Sequence, residues 1–428
     1  MTPRGGLSFR SRNARERNLK TLVSLRCLVP RHNKTPRNEG SFNNPISIVA
    51  LNKLTSLKIF TMPTDRRTWL KQSSFSLAGL GLAPLISLAE ERKFFSPANP
   101  IWLNSNENAY GPSPLAQKAI MDIYKKSNRY PDDYIPLLKK KIAEHWSVGT
   151  ENILLGAGSS DIIGLSCYHA AKTKGHVVTA EPSYRVWNNQ AGSFGLSFKR
   201  IALTEEKKTD LKKMVEGIDN ETRMIYFCNP NNPTGTFAEI AELKDHVSDA
   251  SKKTFAFIDE AYTEYANLPT LATEAISNPN IVVAKTFSKV YGLAGARVGY
   301  AIAHPDTIKS LSSHQPWPDA GVSMVSISAA LASLDDKDFV KQCREKTKQA
   351  REICYDCFKK FSLDYIPSST NFILFNIDKI KGDFTGLMQA KNIYVQFREH
   401  FNGKWCRVSM GTIEEMQQFC NALKEIIG

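Results

Sequence analysis

Ile281-Val282-Val283-Ala284-Lys285-Thr286-Phe287-Ser288-Lys289-Val290-Tyr291-Gly292-Leu293-Ala294-Gly295-Ala296-Arg297 is the stretch on which the reading of this chain turns. Ile281 to Ala284 is a short apolar run of the kind that forms a buried strand. It opens into a polar turn where a hydroxyl, Ser288, stands beside an amine, Lys289, and a glycine-punctuated segment delivers Arg297 eight residues later. A lysine amine becomes nucleophilic when burial or a nearby cation lowers its pKa, because either frees the nitrogen lone pair. Arg297 can supply that cation and grip a phosphate with its planar fork. Alone, the stretch is equally compatible with a surface Ser-Lys turn, so what accompanies it decides.

Outward from this point strand and helix alternate. Asn152 to Leu155, His176 to Thr179, Met224 to Phe227 and Thr254 to Ile258 are predicted strands, and Asp161 to Lys172 and Glu239 to Ala250 are predicted helices. That alternation predicts an α/β fold with a mainly parallel sheet covered by helices on both faces. Two helices, Pro114 to Lys126 and Leu137 to Trp146, precede it. Helices over Met324 to Ser333, Phe339 to Phe361 and Ile413 to Ile427, with strands Asn371 to Phe375 and Cys406 to Ser409, predict a smaller α+β domain at the end.

With 428 residues, 42% hydrophobic and 23% charged, the composition is that of an ordinary globular protein. The net charge of +14 is concentrated at the start: residues 1–61 carry +10, residues 62–89 carry +2, and everything beyond carries +2. The folded part is therefore near neutral, which gives nucleic-acid binding no electrostatic support. Eight cysteines are scattered, and the single CxxC pair, Cys354 and Cys357, sits in a helix-like run without neighbouring histidines. Two cysteines one helical turn apart explain it, and no metal site is expected.

Residues 1–61 mix Arg, Asn, Ser and Pro without a period and are expected to form a disordered leader. From Met62 the pattern changes. Arg66-Arg67, the mildly apolar run Leu77 to Ile86 and the small-x-small end Ser87-Leu88-Ala89 resemble a bacterial twin-arginine signal over 62–89. Met62 is then the expected start, with export to the periplasm or beyond; a cytoplasmic protein is the alternative. The apolar run falls short of the roughly 20 residues needed to span a bilayer.

Five further features carry chemistry. Gly156-Ala157-Gly158-Ser159-Ser160-Asp161 lies at a strand-to-helix turn, where converging amides and the helix N-terminus favour an anion; Asp161 stands where a dinucleotide fingerprint needs glycine. Asn229-Pro230-Asn231-Asn232-Pro233-Thr234-Gly235 follows a strand, and an amide at Asn232 can donate to a phenolate. Asp259, at the end of the next strand, can keep a pyridine nitrogen protonated, and Tyr262 can reach the ring's oxygen. Tyr184 can stack on a flat ring. Arg407, on a late strand of small and apolar residues, needs an anionic partner, either a substrate carboxylate or phosphate or an internal acid.

Together these motifs resemble, in order and spacing, the class I/II aminotransferases of fold type I, which depend on pyridoxal 5'-phosphate (PLP). The opening Leu103-Asn104-Ser105-Asn106-Glu107-Asn108, the turn Arg129-Tyr130-Pro131 and the closing Arg407-Val408-Ser409-Met410-Gly411-Thr412 resemble the histidinol-phosphate aminotransferase branch. The resemblance implies a seven-stranded PLP-transferase sheet, an N-terminal arm over 90–129, a large PLP-binding domain over 130–310 and a small domain over 311–428. It implies that Lys289 attaches PLP and shuttles protons, that Asp259 meets the ring nitrogen, and that Tyr262 and Asn232 bind the ring hydroxyl. Tyr184 would stack on the ring. Gly158, Ser159, Ser160, Ser288 and Arg297 would hold the phosphate, with Tyr130 entering from the second subunit of a homodimer. Arg407, Asn108 and Asn371 would face small amino and oxo acid substrates, and Asn232-Pro233 would be cis. Two features depart from the branch: its further arginine arrives two residues late, at Arg398, and Gln315-Pro316-Trp317-Pro318-Asp319 brings a Trp and an acid towards the expected pocket. The alternatives within reach are a PLP-dependent decarboxylase or lyase of a phosphorylated amino acid, and an exported binding protein without catalysis.

Overall fold

The computed structural model describes residues 99–428 apart from Val186. The leader and the twin-arginine-type segment therefore lie outside the described residues. After a two-residue strand β1 (Ile101–Trp102), seven strands form one sheet: β2 (Ile153–Gly156), β3 (Gly175–Glu181), β4 (Leu196–Ala202), β5 (Thr222–Cys228), β6 (Phe255–Asp259), β7 (Ile281–Thr286) and β8 (Gly299–Ala303), in the order β2-β8-β7-β6-β5-β3-β4. All neighbours pair in parallel except β8, which runs antiparallel to both β2 and β7.

Strand residues alternate between two cores, as the two-residue period of a strand requires. Val178, Ile225, Ile258 and Val283 enter one cluster; Val177, Met224, Phe257 and Val282 enter the other. Both faces are thus buried, which explains the near-continuous apolar runs. The parity places Asp259 on the face of Phe257 and Tyr226, whereas Lys285 shares the face of Val283. Lys285 is buried there with Glu260 (2.9 Å) and Glu264 (3.1 Å), donates to Thr263 Oγ1 (2.7 Å) and lies over the Trp146 ring. Burial alone would depress its pKa, but the two carboxylates hold it above the ordinary lysine value.

The second sheet contains β9 (Tyr365–Ile366), β10 (Phe372–Asn376), β12 (Gln396–His400) and β13 (Gly403–Ser409) in the order β12-β13-β10-β9, while β1 pairs in parallel with β11 (Ile393–Tyr394). Its core holds Ile373, Phe375, Phe419 and, from the first strand, Ile101. Residues beyond 311 are not confined to the small-sheet core. Ile327, Ala329, Ala330 and Leu334 of the helix Met324–Asp335 pack into the large-sheet core, because this helix is apolar enough to be covered there. The helix Lys337–Lys360 bridges the two parts, with Cys343 in the large core and Ala350, Cys354 and Phe358 in the small one. None of the described helices is long and apolar enough to cross a membrane.

Phe358 stacks on Phe375 with ring centroids 4.4 Å apart and meets Phe419 edge-on at 6.4 Å. Truncating such a fully buried ring removes transfer energy and leaves a cavity, so Phe358→Ala is expected to lower the unfolding free energy by about 3–5 kcal/mol. Equilibrium urea denaturation measures it; a loss below about 1 kcal/mol contradicts this packing.

Candidate active site

Parallel strands end on one side of a sheet, and the loops that leave those ends build a crevice there. The segments after β2, β3, β5, β6 and β7 carry Ser159 and Ser160, Tyr184, Asn232, Asp259 with Tyr262, and Ser288 with Lys289 and Arg297. All of them line one cavity of about 590 Å³, which the small sheet completes with Arg407.

The lysine at its centre is shifted. Lys289 has a pKa lowered to about 8, first by burial and then by the Arg407 guanidinium, with Asp259 and Glu107 opposing. Its Nζ lies 3.4 Å from the Asn106 carbonyl oxygen and 5.6 Å from the centre of the Tyr262 ring. Asp259 is buried and held by neutral donors: Tyr226 OH donates to Oδ2 (2.7 Å) and the Ala261 amide to Oδ1 (3.1 Å). Burial raises its pKa in spite of those bonds and of Lys289. A cationic ring nitrogen would offset that burial.

Tyr262 OH accepts from Asn106 Nδ2 (3.0 Å) and from Asn232 Nδ2 (3.3 Å). A hydroxyl has two lone pairs and one proton, so this phenol keeps its proton free to donate into the cavity. Burial raises its pKa, which favours the neutral donor. Asn232 faces both ways, since its Oδ1 accepts from Arg407 Nη1 (2.8 Å). Arg407 Nη2 donates to the Asn104 carbonyl oxygen (3.1 Å), and burial lowers its pKa to about 10. Both acceptors are uncharged, so among the described residues no internal acid compensates this arginine. An internal ion pair is therefore not what holds it.

The phosphate end is built from backbone and side chains together. Gly158 caps the helix Ser159–Ala170 at φ +86, and a Cβ there would come within 2.7 Å of Arg297 Nη2. The Arg297 fork donates to the Ala157 carbonyl oxygen (2.9 Å) and reaches Ser160 Oγ at 3.4 Å. Asp161 closes the turn by accepting from the Ala157 amide (3.1 Å). Gly292, at φ +69, has a Cβ position 2.0 Å from the Gly111 carbonyl oxygen, which explains that glycine of the Lys289–Arg297 segment. Helix amides, hydroxyls and one arginine form a donor set that fits a phosphate, and the amine, carboxylate and phenol beside it fit a pyridine aldehyde. The residues present therefore fit PLP.

Other expectations are relocated. Asn108 and Asn371 do not line the cavity. The Asn108 amide is spent on Val290 O (2.8 Å), Cys343 Sγ and the Tyr110 amide, and Asn371 Nδ2 donates to the carbonyls of Asn106 and Glu107 (both 3.0 Å), so both position backbone. Tyr130 is 76% exposed and meets Trp317 edge-on in a separate groove. Asp319 is likewise away from the cavity, accepting from the Leu155 amide and pairing with Lys139. Asn232-Pro233 is not cis; among the described residues the cis bonds are Glu181-Pro182 and Asn229-Pro230. The roles of Asn106 and Tyr226 were missed. Asn106 takes φ +54, and Tyr226 looked like any core aromatic until its hydroxyl met Asp259.

Lys289 also sets a pH dependence. Below about 8 folded and unfolded chains both hold its proton, so the full penalty of burying the charge is felt; as pH rises towards 10.5 the folded state releases it first and the penalty fades. Without cofactor, Lys289→Met is therefore expected to exceed the wild type in stability at pH 7 by on the order of 1–3 kcal/mol. The margin narrows above pH 8; urea denaturation at two pH values tests this, and a margin that widens with pH contradicts it.

The chain matches the family Aminotransferase class I and II over residues 98–423. It is 32% identical to a histidinol-phosphate aminotransferase of Geobacillus sp. over 80% of this chain and 94% of that protein, and 33% identical to one of Carboxydothermus hydrogenoformans over 76% and 90%. Among solved structures, the histidinol-phosphate aminotransferase of Sinorhizobium meliloti in complex with pyridoxal-5'-phosphate superposes with a TM-score of 0.70 at 26% identity, covering 76% of this chain and 90% of the other. With this match over most of its length, the chain belongs to the class I and II aminotransferases.

Proposed function

We propose that Lys289 is the residue that attaches PLP and carries protons in an amino-group transfer between an amino acid or amino-phosphate donor and a 2-oxo acid. The protein is a PLP-dependent aminotransferase, and PLP is its cofactor. When bound, PLP supplies an electron sink for the bond being cleaved. Lys289 Nζ takes up and returns the proton at the substrate's α-carbon, a task that suits an amine near its neutral form at physiological pH. Asp259 keeps the ring nitrogen protonated, and Tyr262 donates to the ring oxygen while Asn232 orients it. Tyr184 covers the ring; Ser159, Ser160, Ser288 and Arg297 hold the phosphate; Arg407 fixes the substrate's anionic group. The observation that carries the reading is that Lys289, Asp259, Arg297 and Arg407 face one cavity. The relatives' names support an amino phosphate among the donors.

The proposal extends to assembly and location. A homodimer is supported by Tyr130, an exposed aromatic away from its own cavity. Export is supported by Arg66-Arg67 and the apolar run that follows. Replacing both arginines by lysine is expected to retain the protein in the cytoplasm on fractionation; unchanged export contradicts this part alone.

Mixing the PLP-loaded protein with amino donors and a 2-oxo acid tests the chemistry. Lys289→Ala is expected to lose about 10²-fold to 10⁴-fold or more in rate, the usual worth of a positioned proton carrier. Asp259→Asn is expected to lose kcat more than affinity. Lys289→Ala protein that turns over at the wild-type rate contradicts the proposal, and carbon dioxide release that needs no acceptor selects a decarboxylase.

A further inference from the structure

The Cys354 and Cys357 pair of the sequence meets a third thiol in the fold. Both lie on the helix Lys337–Lys360, and Cys420 lies on the helix Ile413–Ile427, which packs with it into the small-sheet core. Cys420 Sγ donates to the Ile353 carbonyl oxygen at 3.8 Å, and Cys357 Sγ donates to the Cys420 carbonyl oxygen at 3.9 Å. Inside an α-helix the Ile353 carbonyl is the one that also accepts from the Cys357 amide. Each sulfur therefore rests against the other cysteine's turn of helix.

The contact shows in their titration too. The adjacent Cys420 sulfur is the first cause that raises the Cys357 pKa, and burial adds to it. Cys420 is pushed up to about 12, first by Cys354, while the Cys357 thiol beside it pulls the other way. Of the two, Cys420 thus gives up its proton first, with the Cys357 S–H holding the thiolate. The three thiols do not form a metal site: among the described residues no group of three His, Cys, Asp or Glu side chains is arranged to hold an ion. Cys354 is fully buried, whereas Cys357 and Cys420 are half-buried. Cys167, Cys228, Cys343 and Cys406 are buried on other elements. Two half-buried thiols, on different helices and within reach of each other and of a dissolved oxidant, are what a disulfide needs. Neither thiol proton is required where it is. Both bonds are weak sulfur bonds, and both carbonyls lie inside helices whose own amides satisfy them.

We propose that Cys357 and Cys420 are an oxidisable pair that closes to a disulfide and ties the helix Lys337–Lys360 to the helix Ile413–Ile427. The oxidant is itself a disulfide, of a small molecule or of a protein. The Cys420 thiolate attacks one sulfur of that oxidant and expels the other half as a thiolate, which leaves a mixed disulfide on Cys420. Cys357 then gives its proton to solvent, attacks the Cys420 sulfur and expels the second half. Two electrons pass from the pair to the oxidant, which leaves as two thiols. The bond joins residues 63 apart, and the loop it closes contains β9 to β13 and Arg407. It therefore restricts the unfolded chain over the whole small sheet. Export would bring the pair to an oxidising compartment, but the pairing stands on the geometry and does not depend on that reading.

The PLP-loaded protein, held with oxidised glutathione, alkylated and digested without reductant, is expected to give one peptide pair joined through Cys357 and Cys420. Its urea midpoint is expected to rise by about 1 M over the reduced protein, from the entropy of a loop this long and the denaturant slope of a chain this size. Cys354→Ala is expected to keep both effects and Cys357→Ala to lose both. Comparing oxidised with reduced forms of the same variant cancels any packing loss from the substitution itself. Glutathione left on Cys420 without a cross-link, a bond to Cys354 instead, or a urea midpoint that oxidation does not raise overturns the proposal.

Discussion

Two lysines four residues apart, one buried and one half-buried at the cavity, meet opposite electrostatic fates, and the site depends on the difference. Lys285 lies among carboxylates on one face of the large sheet and is held as a cation. Lys289, past the end of the same strand, is half-buried in the cavity, where desolvation and the Arg407 guanidinium loosen its hold on a proton. The first anchors the ends of β6 and β7, because Glu260 also accepts from the Leu271 amide and its own amide donates to the Ala284 carbonyl. The second is free to act as a base or nucleophile. Breaking a buried ion pair costs about 3–5 kcal/mol, so that anchor is firm.

A chain of hydrogen bonds links the two sheets across the cavity. Asn106 and Asn232 both donate to Tyr262, Arg407 donates to Asn232 and to the Asn104 carbonyl, and Ser409 Oγ connects with Asn106. Each member is fixed by partners on other elements, so the Tyr262 proton and the Arg407 charge are aimed before any substrate arrives. Preorganised donors of this kind act strongly in a site shielded from water. The same chain ties the N-terminal segment to the small sheet and to the loops of the large one.

Much of this was legible because the chemistry sits where strands end. The apolar runs of β5, β6 and β7 made their parallel pairing readable, and Asn232, Asp259 and Lys289 follow them directly. β8 was hidden by the glycine-rich segment that precedes it, and β4 by Ser197, Lys199 and Arg200, polar residues on the half-exposed edge of the sheet. Asn108 and Asn371 hold backbone through their side-chain amides, a role that carries the same local sequence signal as holding substrate. Arg398 looked out of place by two residues; on a strand that displacement preserves the face and only moves the charge along the cavity. Sequence spacing alone cannot distinguish those outcomes, since the facing of β12 depends on its register with β13.

The central claim is that the amine joined to the cofactor belongs to Lys289 and not to its neighbour at 285. Reducing the PLP-loaded protein with borohydride fixes the cofactor to whichever lysine carries it, and peptide mass mapping reads the position. The account predicts a single pyridoxyl adduct on Lys289, with Lys285 unmodified. An adduct on Lys285 or on any surface lysine in its place, or no adduct at all, would contradict it.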